Sequence, residues 1–94
     1  MSGPLRVGVV GTGALGFHHL RHLRTVPDAK VCGFHEVDEK RAGAVSLELG
    51  VRHTASLEAL LADVDAVSIV VPTPAHFAVA KAALGRGKHV MIEK

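Results

Sequence analysis

The run Val7-Gly8-Val9-Val10-Gly11-Thr12-Gly13-Ala14-Leu15-Gly16 restricts this chain more than any other stretch, because an apolar strand flows through a G-x-G-x-x-G turn into a helical pattern. Each glycine has a separate reason to be there. Gly11 permits the tight strand-to-helix turn, Gly13 lets backbone approach a pyrophosphate, and Gly16 lets the helix pack closely on the strand. The first N–H groups of such a helix are unpaired at the positive end of its dipole, so a dinucleotide pyrophosphate suits residues Gly11 to Gly16 without any lysine. Glycines also punctuate ordinary loops, so the hexapeptide alone decides nothing. Its context does: a second apolar strand, Val31-Cys32-Gly33-Phe34, leads to Glu36, twenty positions beyond Gly16, where an acid would take the ribose hydroxyls.

Composition agrees with a sheet covered by helices. Of the 94 residues, 48% are apolar but only 3% aromatic, so the core is built from Val, Leu, Ile and Ala. The length suits one domain, a dinucleotide-binding unit over 1–94, and falls short of a two-domain dehydrogenase, so a truncated protein without its substrate domain is expected. A net charge of +2 with interspersed acids and no aromatic-rich basic stripe argues against nucleic acid as a partner. Cys32 is the single cysteine, which excludes an internal disulfide or thiolate metal cluster and suggests a buried, inert thiol. No apolar run approaches the roughly 18 residues of a membrane span, and no signal peptide precedes Leu5, so a cytoplasmic protein is expected.

Leu5 to Val10 reads as a central parallel strand, followed by a helix from about Ala14 to Thr25. Gly16, His19, Leu20 and Leu23 form its inward stripe, with His18, Arg21, His22 and Thr25 outward. His18 and His22 stand one turn apart but lack a third ligand, so no metal site is expected. For His19 the favoured reading is a core histidine satisfied by a backbone carbonyl; the sharper one is a role near the glycine turn. Lys30 to His35 delivers Glu36, whose charge favours NAD over NADP, although His35, Lys40 or Arg41 could swing in to hold a 2′-phosphate.

Asp38 should cap a helix with an Ala42, Val45, Leu49 stripe that Gly50 stops. Val51 to Thr54 is expected as a third strand, Ser56 as the cap of a short helix over Leu57 to Leu61, and Asp65 to Val71 as a fourth strand. Pro72-Thr73-Pro74 then breaks pairing and offers Thr73 and Pro74 as a second wall for a cofactor. A helix from about Ala75 to Leu84 carries His76 in its first turn, able to reach the cofactor or solvent, and places Phe77, Ala80 and Leu84 on one face. After Gly85-Arg86-Gly87, a fifth strand from His89 to Ile92 leads to Glu93 and Lys94.

Taken together, these residues resemble the glucose-fructose oxidoreductase, inositol dehydrogenase and MocA family of NAD(P)-dependent dehydrogenases. The resemblance runs from Leu5 to Lys94: the glycine turn followed by His19, Glu36 with Val37-Asp38, Asp65-Ala66-Val67, Thr73-Pro74 with His76, and Gly87-Lys88-His89-Val90 before Glu93-Lys94. It implies hydride transfer between NAD(P) and a sugar, cyclitol or similar polyol, with Glu93 at the cofactor and Lys94 as the catalytic lysine near the nicotinamide and the reacting hydroxyl. Two departures stand out: aspartate is commoner than Glu36 in the family, and the proline that follows its Glu-Lys pair is not reached. A methyltransferase-like nucleotide binder also fits the glycine turn but leaves Glu93-Lys94 unaccounted for, and a non-catalytic dinucleotide-binding module remains the alternative function.

The expected fold is a doubly wound, three-layer α/β domain with five parallel strands in the order 3-2-1-4-5. The outer edge of His89 to Ile92 would then be open, which predicts a homo-oligomer joined through that strand.

Overall fold

A computed structural model of the chain describes residues 5–71 and 73–92, with the backbone alone at 14, 15, 73 and 74. The glycine turn follows β1 (Leu5–Val10), whose last four residues are buried, as a central strand of alternating Val and Gly covered on both faces requires. The elements continue as α1 (Ala14–Leu23), β2 (Ala29–His35), α2 (Glu39–Leu49), α3 (Leu57–Asp63), β3 (Ala66–Ile69), α4 (Thr73–Gly85) and β4 (His89–Ile92). All strand pairs are parallel, in the order β2-β1-β3-β4.

The sheet separates two apolar layers. Val9 and Phe34 meet Leu20 of α1 and Ala42, Val45 and Leu49 of α2 on one side. Val10, Val67 and Ile69 meet Leu60 and Leu61 of α3 and Ala83 of α4 on the other. Helix ends follow their local chemistry: Asp38 accepts from the Lys40 and Arg41 N–H groups, Gly50 stops α2 at φ +66°, and the Ser56 hydroxyl accepts from Ala59 N–H.

Four strands replace the expected five. Val51 to Thr54 is reduced to one parallel bridge between Phe34 and His53, with Phe34 N–H donating to Arg52 O at 3.0 Å and Thr54 N–H to Phe34 O at 2.9 Å. This segment lies between the Gly50 stop and the Ser56 cap, and the Thr54 hydroxyl reaches both Phe34 O and Ser56 O at 3.2 Å. Those side-chain bonds turn the chain into α3 before a ladder can extend.

The apolar face expected on α4 is also corrected. Phe77 and Leu84 are 77% and 62% exposed, and the Lys81 ammonium lies 6.0 Å from the Phe77 ring centre. It is the smaller Val79, Ala80, Ala82 and Ala83 that pack on the sheet. Small side chains let the helix approach closely, and a helix apolar on most of its circumference gives no stripe to read.

One irregularity was not expected at all. β1 pairs Val7 with Val31 but Gly8 with Gly33, so Cys32 is an extra residue in β2. Cys32 and Gly33 therefore both turn toward the α3 side, and Phe34 returns to the α1 side. Cys32 is only partly buried, with its thiol 3.7 Å from Lys30 O.

At the opposite end of the sheet, Asp65 joins three strands. Its carboxylate accepts from Arg6 N–H at 3.0 Å and from the Arg6 guanidinium at 3.0 and 3.3 Å. Its own N–H donates to Arg6 O, and its carbonyl accepts from His89 N–H. The family-like Asp65-Ala66-Val67 thus has a structural reason for its acid.

Candidate cofactor-binding site

The glycine turn lies at the carboxyl end of β1, fixed by Gly11 N–H donating to His35 O at 2.9 Å. Gly11 has φ +93°, a conformation that side chains disfavour, and a Cβ there would lie 2.5 Å from Val70 O. A Cβ at Gly16 would run into the Gly11 carbonyl, so the first turn of α1 rests directly on the loop. Gly13 differs: nothing lies within 4 Å of where its Cβ would be. It forms the N-cap of α1 without any side-chain cap, and the first helical bond is Phe17 N–H to Gly13 O at 2.8 Å. The N–H groups of Gly13, Ala14, Leu15 and Gly16 are left without acceptors in the helix, beside an open face. This is the arrangement an anion needs.

Glu36 stands just beyond β2, next to this loop. Its Oε1 accepts from Thr12 N–H at 2.7 Å and Thr12 hydroxyl at 3.0 Å, and its Oε2 from Asp38 N–H at 3.0 Å. Burial works to raise its pKa, but the bonds from Asp38 and Thr12 together outweigh it and hold the carboxyl below the ordinary glutamate value. The group stays an anion with one acceptor position, on Oε2, to spare for a ribose hydroxyl. A cleft of about 570 Å³ runs past it, lined by His35, Val37, Glu39, Gly43, His53 and Ala55. His35 donates to Thr54 O at 3.1 Å and His53 to Glu36 O at 3.2 Å, and their rings stack 5.9 Å apart.

Arg41, in the first turn of α2, completes the loop. Its Nε donates to Thr12 O at 2.8 Å and its guanidinium lies 5.6 Å over the Phe17 ring. It is thus docked on the glycine turn, where sequence spacing shows only a basic residue able to swing in. The readable signal was there: an Asp38 cap puts residue 41 in the first helical turn, close to the acid.

The remaining expected residues divide. Thr73 and Pro74 open α4 at the carboxyl edge of β3, with only their backbone described. His76 donates from Nε2 to Val71 O at 2.6 Å, a bond within the chain that neither expectation named. Glu93 and Lys94 lie outside the described residues. His18 and His22 are exposed on the outer side of α1. His19 faces inward, and its buried Nε2 has no backbone-carbonyl partner among the described residues. The buried Ser68 hydroxyl, on the same face of β3 as Val70, is likewise unpartnered there.

The model of the oxidoreductase family with an NAD-binding Rossmann fold, the GFO/IDH/MocA family, matches residues 5–94. The chain belongs to that family. Among its relatives, UDP-N-acetylglucosamine 3-dehydrogenase of Acidithiobacillus ferrooxidans is 44% identical over 90 residues, covering 96% of this chain and 28% of the relative. The solved scyllo-inositol dehydrogenase of Lactobacillus casei, with bound NAD(H) and scyllo-inositol, is 34% identical with a TM-score of 0.86, over 97% of this chain and 28% of that one. Biliverdin reductase of Synechocystis, in complex with biliverdin and NADP+, is 34% identical with a TM-score of 0.90, over 97% and 29%. The chain therefore spans little more than a quarter of the length of these proteins.

The residues present fit the family's dinucleotide on structural grounds. They supply undonated N–H groups, an unobstructed approach at Gly13, and an anionic carboxylate within the same loop. Among the described residues no helix is long and apolar enough to cross a membrane.

Proposed function

We propose that this chain is the cofactor-holding part of an oxidoreductase that moves a hydride between NAD and a hydroxyl-bearing or carbonyl carbon of a sugar, cyclitol or similar polyol. The observation that carries the cofactor part is the open Gly13 approach flanked by unpaired N–H groups and by Glu36. Two relatives are named for oxidation of a sugar nucleotide and of inositol, which supports the polyol class. When bound, the nicotinamide accepts or gives the hydride; the chain's own residues hold and orient it.

Gly11 to Gly16 would hold the pyrophosphate through backbone N–H groups, and Glu36 would accept from an adenosine ribose hydroxyl. Thr73, Pro74 and His76 would form the opposite wall, His76 with its Nδ1 left for the cofactor, and Glu93 would close the nicotinamide end. Lys94 would polarise the substrate oxygen at the reacting carbon, as its match to the family's lysine supports. A carboxylate repels a 2′-phosphate, which favours NAD over NADP. With no polyol pocket among the described residues, the 94 residues alone should bind without turnover.

Calorimetry on the chain decides the cofactor reading. NAD should bind more tightly than NADP, and Glu36→Ala should erase the difference. Equal affinities in the unaltered chain would overturn the preference, and no affinity for either would overturn the function.

We also propose self-association through β4 and a cytoplasmic location. β4 is an edge of the described sheet, with Met91 and Ile92 52% and 48% exposed, whereas the β2 edge is bridged by His53. Light scattering should show a dimer that Ile92→Pro disrupts, because the Ile92 N–H faces away from β3 in this register; a monomer at high concentration would refute it.

A further inference from the structure

We propose that Arg41 is a positioning residue for the cofactor pyrophosphate, acting through the Thr12–Gly13 peptide rather than by touching phosphate. The inference deepens the proposed cofactor site and rests on it. Two consecutive peptides of the glycine turn are held from opposite sides of Thr12. Glu36 takes the Thr12 N–H at 2.7 Å, and Arg41 Nε takes up the Thr12 carbonyl at 2.8 Å.

Peptide planarity turns the second bond into an orientation. In a trans peptide the carbonyl of one residue and the N–H of the next point in opposite directions. There are no cis peptides among the described residues, so a Thr12 carbonyl drawn toward α2 sends the Gly13 N–H the other way. The preceding peptide follows the same rule: its N–H goes to Glu36, and the Gly11 carbonyl turns back against Gly16. Gly13, the residue so aimed, is also the one turn glycine with open space where its Cβ would be.

Arg41 is fitted for holding rather than reaching. Its Nε is occupied by Thr12 O, its guanidinium carbon lies over the Phe17 ring, and the side chain is half-buried. A swing toward a 2′-phosphate would give up both contacts. Its positive charge also lies on the carbonyl side of Thr12 while the Glu36 carboxylate lies on the N–H side, so each charge meets the end of the dipole that it stabilises.

Arg41→Ala and Arg41→Lys in the whole chain test this, with binding of NAD, NADP, ADP and adenosine measured by calorimetry and backbone amides followed by NMR without ligand. Arg41→Ala should weaken NAD, NADP and ADP alike, by about tenfold, as expected for loss of one charge-assisted hydrogen bond, and leave adenosine unchanged. Arg41→Lys should recover part of the loss. In the ligand-free protein the Thr12 and Gly13 amide resonances should move while that of Gly50 does not. A loss confined to NADP would make Arg41 a 2′-phosphate contact and overturn the proposal. Unmoved Thr12 and Gly13 amides would overturn it too, and that reading stands even if the unaltered chain binds no dinucleotide, which would refute the proposed function separately.

Discussion

Thr12 gives both its backbone N–H and its hydroxyl to a single oxygen of Glu36, at 2.7 and 3.0 Å. A loop residue and the acid after the neighbouring strand are thereby one unit before any ligand arrives. Thr12→Val, which keeps the shape and removes the hydroxyl, should cost about 1 kcal/mol in urea unfolding. An unchanged midpoint would show that the backbone bond alone is sufficient.

The same bonds make stability depend on pH. Glu36 is held below its ordinary value of 4.5, so its contribution is fully present above that pH and is lost as pH falls through the depressed folded-state pKa. Urea midpoints between neutral and acidic pH should fall more steeply for the unaltered chain than for Glu36→Gln. Parallel pH profiles would remove Glu36 from the acid response.

Two of the turn glycines, Gly16 and Gly13, should separate fold from binding. Gly16→Ala pushes a methyl into the Gly11 carbonyl and should destabilise by about 1–3 kcal/mol. Gly13→Val enters open space, so circular dichroism should show a folded protein that has lost its NAD affinity. Retained affinity in Gly13→Val would refute the assigned approach.

Gly8 and Leu60 should be energetically coupled across the sheet. A Cβ at Gly8 would lie 2.7 Å from Cδ1 of the fully buried Leu60. Leu60→Ala alone should cost about 2–5 kcal/mol, and Gly8→Ala should be costly with Leu60 present but nearly free in the Leu60→Ala background. Additive costs from a double-mutant cycle would contradict that contact.

Asp65→Asn should lower the unfolding midpoint and reduce its sensitivity to salt, since the pair with Arg6 is partly open to solvent. The Arg6 guanidinium and N–H hold the Asp65 carboxyl below its ordinary value, so this contribution too is lost toward acid pH. A midpoint indifferent to both substitution and salt would assign the three-strand junction to the backbone bonds alone.

What could be read from the sequence was what local chemistry decides. Gly11, Asp38, Gly50 and Ser56 each sit where one backbone conformation or one unpaired N–H demands that residue type, and all four do the expected work. The pairing of β1 with β2 and β3 followed from buried runs of Val and Ile. The misses depend on tertiary placement: how far Val51 to Thr54 can ladder before Thr54 turns it, and which side of the mostly apolar α4 meets the sheet. Arg41 was visible as a charge, but its docking on Thr12 and Phe17 is a matter of helix placement.

The extra residue at Cys32 gives the span from the glycine turn to the acid one residue of slack. Removing one residue from Val31 to Gly33 would restore an even alternation and leave Phe34 opposite Val9, on the side of Leu20 and Val45. It would leave Glu36 beside Thr12 as well, because the pairs from Gly8–Gly33 to Val10–His35 are unchanged. A single deletion should therefore be accepted at this one place in β2, as in the connection after α1 around Thr25 to Asp28, and rejected between Phe34 and Glu36, where one codon decides where the acid lands.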